Sequence, residues 1–269
     1  MKYIENLNHE KIVFIGAGNV ATHFSQAIKH GGYQMWQVYS RSLDSARSLA
    51  NVLKCKYTTD LKAVKTDADI YFFSISDDAL PAIIAKMPPN NGLWVHTAGS
   101  IPMDVFRNYT KRYGVMYPLQ TLSKQRETDL SDVPLLIEAN SINDNELLFD
   151  VGNYISDNII DMSSDKRKYV HLAAVFTSNF SNHLYALAAH FLEKQGIDWH
   201  ILHSLLYETV AKTYDIPPLK AQTGPAVRGD HAIMAQHLSM LEDETMRKIY
   251  TLISESIQTH PNIKDNDRL

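Results

Sequence analysis

A glycine-rich turn set between a strand and a helix constrains this chain more than any other feature. The run Ile12-Val13-Phe14-Ile15 leads into Gly16-Ala17-Gly18-Asn19-Val20-Ala21, and a helical pattern follows. G-x-G-x-x-A in that setting is the phosphate-binding turn of a dinucleotide fold. Gly16 permits the tight turn, Gly18 lets a pyrophosphate approach the backbone, and Ala21 lets the helix pack closely on the strand. Asn19 and Val20 open that helix, where free N–H groups and the positive end of the dipole favour an anion. Two other readings stand beside this one: a glycine turn that serves packing alone, and the glycine-rich turn of S-adenosylmethionine enzymes.

The second strand bears on which dinucleotide is meant. In NAD enzymes it usually ends in an acidic residue that hydrogen-bonds the ribose 2′-hydroxyl. Here it ends in Tyr39-Ser40-Arg41-Ser42. A guanidinium and two hydroxyls suit a 2′-phosphate, which a carboxylate would repel, so the expected cofactor is NADP(H). The alternative is a solvated Arg41 that begins the next helix, and Asp44 lies close by.

Short apolar runs alternate with amphipathic stretches from Lys11 to about Ile160, the pattern of a parallel sheet with covering helices. Strands are expected at Lys11 to Ile15, Met35 to Tyr39, Ile70 to Ser74, Leu93 to His96, Gly114 to Tyr117, Leu135 to Glu138 and Ile159 to Met162. After Ser163-Ser164-Asp165, which look like an N-cap, the pattern is helical throughout. The first long helix should run to about Gln195 and stop at Gly196. The expected fold is therefore α/β, with a mostly parallel Rossmann domain over residues 1–163, followed by an all-α domain over 164–269 that ends in a frayed polar tail from Asn262 to Leu269.

A formal charge of −4 over 269 residues gives no pull toward nucleic acid or an anionic membrane surface. No apolar run approaches the roughly 20 residues of a membrane span. The single cysteine, Cys55, has no partner for an intramolecular disulfide, and Met1-Lys2-Tyr3 leads into a polar stretch, so a cytoplasmic location is expected. Eight of the twelve histidines follow residue 165, but no pair has zinc-ligand spacing with thiol or acidic partners, and no metal is expected.

Open α/β sheets bind ligands at the carboxyl ends of their strands. Three polar clusters fall there: Ser74-Ile75-Ser76-Asp77-Asp78, His96-Thr97-Ala98-Gly99-Ser100 and Tyr117-Pro118-Leu119-Gln120-Thr121. Ser74, Ser76, His96 and Ser100 are the candidates to line a nicotinamide pocket. Asp77 and Asp78 serve equally as a helix N-cap, and His96 serves equally as a packed strand-end histidine.

In the helical half, His171, Ser178 and Asn182 fall on one face at 100° per residue, with Lys168, Asn179 and His183 nearby. Such a stripe marks a site, or else interhelical hydrogen bonding or a dimer seam. The loop Gln222-Thr223-Gly224-Pro225-Ala226-Val227-Arg228-Gly229-Asp230-His231 is rich in functional groups. Arg228 suits a substrate carboxylate, and Asp230 suits the cap of a helix from His231 to about Leu241.

Taken together, the chain resembles the NADP-oxidoreductase-type Rossmann proteins of the 6-phosphogluconate dehydrogenase superfamily. Its first half is similar to pyrroline-5-carboxylate reductase and the β-hydroxyacid dehydrogenases through Gly16 to Ala21 and Tyr39 to Ser42. The stretches His171 to Asn179 and Thr223 to Asp230 resemble a bacterial subfamily described only as Rossmann-like oxidoreductases. The resemblance implies the fold, NADP and a homodimer made through the helical domain, but no substrate. It also carries a departure. β-Hydroxyacid dehydrogenases place a lysine four residues before an asparagine on this helix, and if Asn179 is that asparagine, the lysine position holds Val175.

The functional expectation is hydride transfer between NADP(H) and a small carbonyl or imine substrate, anionic if Arg228 binds it, in a cleft between the domains. His171 is the candidate proton donor, because an imidazole passes protons near neutral pH. Asn179 would orient the substrate. The alternative is a non-catalytic, redox-responsive NADP(H)-binding scaffold, and methyl transfer from S-adenosylmethionine ranks behind both.

Overall fold

A computed structural model describes residues 10–259. The polar tail from Asn262 and the leading Met1-Lys2-Tyr3 lie outside the described residues.

Among the described residues eight strands form one sheet: β1 (Lys11–Ile15), β2 (Gln34–Tyr39), β3 (Lys56–Thr58), β4 (Ile70–Phe73), β5 (Leu93–His96), β6 (Tyr113–Pro118), β7 (Leu135–Ala139) and β8 (Ile159–Asp161). Their order is β3-β2-β1-β4-β5-β6-β7-β8. All neighbours are parallel except β6 and β7. The chain order reverses between β1 and β4, the switch point where doubly wound sheets open a crevice. All seven expected strands are present. Unexpected is β3, a three-residue edge strand with two exposed positions.

Side chains alternate across the sheet, as period-two geometry requires. Ile12, Phe14, Phe72, Val95, Met116 and Ile137 face α1 (Asn19–His30), α2 (Leu43–Leu53) and α4 (Ile142–Gly152), which contribute Phe24, Ile28, Leu49, Leu53 and Leu148. Val13, Ile15, Tyr71, Phe73 and Trp94 face Leu80 and Ile84 of α3 (Leu80–Ile84) and Phe106. Central strands buried on both faces read as continuous apolar runs, which is why β4 is Ile70-Tyr71-Phe72-Phe73.

Among the described residues every element after β8 is helical: α5 (Ser164–Ala174), a π-helical segment Val175–Phe180, α6 (Ser181–Glu193), a 3-10 turn at Trp199–Leu202, α7 (His203–Asp215), α8 (Pro225–Arg228), α9 (His231–Met240) and α10 (Glu244–Thr259). Ser163 takes the N-cap position of α5 without a side-chain cap bond. Ser164 instead turns inward, accepting from the Met103 N–H at 3.0 Å and donating to Glu138. The long helix ends as the sequence indicates, since Gly196 has φ 69° and its N–H bonds to the Glu193 carbonyl. Asp230 caps α9, accepting from the Ile233 N–H at 3.2 Å.

Compactness divides the chain after Asn179 into a first unit and a second unit that starts at Phe180. Secondary structure changes earlier, at Ser163. The first turns of α5 belong to the first unit because Arg167, fully buried, bonds to Glu138 at 3.1 Å, to the Ile101 carbonyl at 2.6 Å and to Ser164 Oγ at 3.0 Å. The π-helical segment adds a residue to its turn, so the face computed at 100° per residue does not carry from His171 through Ser178 to Asn182.

Candidate functional site

Register places the site. Tyr39 pairs with Ile15, Ile15 with Phe73 and Phe73 with His96, so four strands end along one line, while β6, paired at Val115 with His96, runs on to Pro118. The chain leaves that line at Ser40, Gly16, Ser74 and Thr97, and these residues border a cleft of about 630 Å³, a volume normal for a small-molecule or cofactor site. Its walls are all residues of the first unit.

The floor is the glycine turn. Gly16 has φ +115°, and a Cβ there would sit 2.2 Å from the Ser74 carbonyl oxygen. Only glycine fits that approach of β1 to β4. Gly18 has an ordinary backbone and would place a Cβ 3.7 Å from the same oxygen. Its bare Cα therefore serves no internal contact and leaves the cleft side open. Gly16, Ala17, Gly18, Asn19 and Val20 all line the cleft at the start of α1.

At one end Tyr39, Ser40, Arg41 and Ser45 line the wall. Ser42 does not join them: its hydroxyl caps α2 by accepting from the Ser45 N–H at 3.3 Å. Asp44, in the first turn of α2, is also off the wall. Lys124, which no motif singles out, lines the cleft and donates to the Ala17 carbonyl. Its loop is fastened to α1 by Asn19, whose side chain donates to the Leu122 carbonyl at 2.8 Å and accepts from the Lys124 N–H at 3.3 Å.

At the other end stand Ser76, Asp77, Gly99, Tyr117 and His171. The Tyr117 hydroxyl and His171 Nδ1 are 3.1 Å apart. Burial pushes the Tyr117 phenol up from its ordinary value; Arg167 opposes this and Asp77 adds to it. A Cβ on Gly99 would come within 2.5 Å of His171 Nδ1 and 2.8 Å of Tyr117 Cζ, so this glycine lets the β5 loop close against the pair. Ser100 stands just outside the wall, its hydroxyl donating to Asp77 Oδ2 at 2.6 Å.

His96 is a correction. Rather than lining the pocket it is wholly buried behind it, packed 5.6 Å from the Phe106 ring. β5 is covered on both faces, so a side chain at its last residue enters the core. Its Nδ1 accepts from the Ala98 N–H at 3.2 Å, which leaves the ring proton on Nε2. Burial lowers its pKa to about 3, with Arg167 adding to the effect. Asn179 and Arg228 do not line this cleft: Asn179 is exposed in the π-helical segment, and Arg228 is exposed in the second unit. Among the described residues no group of His, Cys, Asp or Glu is arranged to hold a metal ion, and no helix is long and apolar enough to cross a membrane.

Residues 11–95 match the domain family described as NADP oxidoreductase coenzyme F420-dependent, and residues 133–257 match a domain family of unknown function, DUF2520. Among solved structures, a Bacteroides fragilis protein described as a putative NADP oxidoreductase is 43% identical, superposes with a TM-score of 0.88, and is matched over 94% of this chain and 100% of its own. The chain belongs to the NADP oxidoreductase family. No curated protein matches it. The oxidoreductase also shares its fold with a pyrroline-5-carboxylate reductase of Streptococcus pyogenes at 14% identity, over 94% of this chain and 99% of that one, with a TM-score of 0.60. An imine reductase of Myxococcus stipitatus, solved in complex with NADP+, is 16% identical over 93% and 92% of the two chains, with a TM-score of 0.62. The cleft of the oxidoreductase fits the family's cofactor: a glycine cradle open to the ligand, a helix start for a pyrophosphate, and Ser40, Arg41 and Ser45 grouped at one end.

Proposed function

We propose that this oxidoreductase reduces a carbonyl or imine carbon of a small substrate with NADPH bound along the carboxyl edge of the sheet. The bound cofactor supplies a hydride. Gly16, Ala17, Gly18, Asn19 and Val20 hold its pyrophosphate, Ser40, Arg41 and Ser45 take the 2′-phosphate, and Ser74 and Ser76 border the nicotinamide half. Methyl transfer from S-adenosylmethionine has no use for the Arg41 group.

The observation that carries the catalytic reading is the Tyr117–His171 contact on the wall opposite Arg41. A heteroatom that gains negative charge as its carbon is reduced needs a proton, and a positioned donor contributes typically 10²–10⁴-fold. With Nδ1 protonated, His171 donates to the Tyr117 oxygen and frees the phenol O–H for the substrate. The pair would thus stand in for the family's lysine, whose place Val175 holds if Asn179 is the family's asparagine. Asn179 as a substrate-orienting group and Arg228 as an anion-binding group remain expectations from the sequence.

The working form we propose is a cytoplasmic homodimer joined through the helical part, which would have the 6-phosphogluconate dehydrogenase type of arrangement. Support comes from the second unit, where Ile201, Leu205, Tyr207, Tyr214 and Leu252 are each more than 60% exposed. Exposed apolar side chains suit an association surface where they adjoin in one patch.

The test is NADPH oxidation by purified protein against a panel of ketones, keto acids, aldehydes and cyclic imines, in the wild type and in His171→Ala. Turnover that falls at least a hundredfold in the variant supports the reading. Full turnover in His171→Ala removes the proton role. NADPH binding without turnover on any member of the panel would favour the scaffold alternative.

A further inference from the structure

Charge is divided unevenly along the cleft. The two permanent cations among its lining residues, Arg41 and Lys124, stand with the glycine turn and the end of β2. The opposite end, around Tyr117 and His171, holds the only lining carboxylate, Asp77. Arg167, the nearest buried guanidinium, is committed to Glu138, the Ile101 carbonyl and Ser164. Asp77 itself is exposed to the cleft, and its one side-chain partner is the neutral hydroxyl of Ser100 at 2.6 Å. One carboxylate oxygen is thereby oriented by a neutral partner.

We infer that the substrate is a cation at its reacting nitrogen, a protonated imine or the amine made from it, and that Asp77 holds it beside Tyr117 and His171. The inference rests on the function proposed above and gives it a substrate class. A carboxylate in this position accepts a charge-assisted hydrogen bond from an N–H⁺ group and repels an acid. It also favours the protonated imine over the neutral one, and the protonated form is the better electrophile. In the reduction a hydride adds to the imine carbon, the C=N π pair becomes the nitrogen lone pair, and NADPH becomes NADP+. The proton that makes the imine a cation comes from the Tyr117–His171 pair ahead of the hydride, and a second proton, from water, turns the neutral amine into the ammonium ion that leaves. An anionic substrate, expected from Arg228, would meet the opposite field at this end.

The test is binding, so it does not depend on finding the natural substrate. Protein saturated with NADP+ is titrated calorimetrically at pH 7 with piperidine, cyclohexanol and cyclohexanecarboxylate, which share a six-membered ring and differ in charge. Piperidine should bind at least tenfold more tightly than the other two. Asp77→Asn, an exposed and nearly isosteric change, should remove that preference while NADP+ affinity stays within twofold. Equal or tighter binding of the carboxylate, binding of none of the three, or unchanged piperidine binding in Asp77→Asn would overturn the inference. So would a variant that loses NADP+ affinity alone, since the carboxylate would then serve the cofactor. If NADP+ fails to bind the wild type, the functional reading itself fails, and piperidine titrated into the cofactor-free protein still tests Asp77.

Discussion

The Tyr117 hydroxyl lies 3.1 Å from His171 Nδ1, and the two rings meet edge to face with centroids 5.8 Å apart. One residue comes from the end of β6 and the other from α5. The buried Arg167 network, four residues before His171, holds the start of that helix against the sheet.

Tyr117→Phe removes the hydroxyl and keeps the ring. Turnover should fall about 10²–10⁴-fold with NADPH affinity unchanged. Burial raises the Tyr117 pKa, so the phenol stays protonated beyond the ordinary value near 10. Reduction that draws on it should hold its rate to that pH and decline only above it. A rate–pH profile of the wild type checks this, and an alkaline decline centred well below 10 would contradict it.

Gly99→Ala tests the closeness of the β5 loop to the pair. The new methyl would collide with His171 Nδ1 and Tyr117 Cζ. Overpacking of this kind costs about 1–3 kcal/mol. Unfolding by urea should show that loss, and turnover should fall by at least tenfold, while NADPH still binds.

The two glycines of the turn should separate. Gly16→Ala forces a left-handed backbone on a residue with a Cβ and drives it into the Ser74 carbonyl, so the cofactor-free protein itself should be destabilised. Gly18→Ala meets nothing closer than 3.7 Å, so its melting midpoint without cofactor should equal that of the wild type. Its NADPH affinity should nonetheless drop tenfold or more. Thermal melts with and without NADPH read both.

His96 should make the first unit sensitive to acid. Its folded pKa of about 3 lies below the ordinary value of 6.5. Between those values the unfolded chain binds the extra proton and the folded one does not, so stability is full above 6.5 and is lost as pH falls toward 3. His96→Gln keeps an acceptor for the Ala98 N–H and has no such titration. Its melting midpoint should fall less than that of the wild type between pH 7 and pH 4.5.

Much of this was readable from residue pattern because the pattern is set by burial. Strands covered on both faces must be apolar, as β1, β4, β5 and β6 are, and the less covered β2, β7 and β8 still carry enough apolar residues to be placed. β3 escaped because Lys56-Tyr57-Thr58 is short, polar and on an edge. The glycine turn was legible because backbone geometry admits no other residue at Gly16. Side-chain direction was not. His96 sits where a strand-end ligand group belongs, yet burial on both faces turns it inward. Ser42 and Ser45 are chemically alike, and only the start of α2 decides which one caps and which one lines the cleft. Lys124 lies in a polar loop without periodicity or motif; only its approach to Ala17 gives it a place. The π-helical segment at Val175–Phe180 carries no sequence signature, so helix-face arithmetic beyond Ala174 went astray.

The most direct measurement is the affinity of the purified protein for NADPH and for NADH, in the wild type and in Arg41→Ala. Hydrogen bonds to a charged group contribute about 1.5–3 kcal/mol, roughly ten- to a hundredfold in affinity. The expected result is tighter binding of NADPH by at least tenfold, with that preference abolished in Arg41→Ala and NADH affinity little changed. Equal affinity for the two cofactors in the wild type, or binding of neither, would contradict the assignment of this cleft to NADP(H).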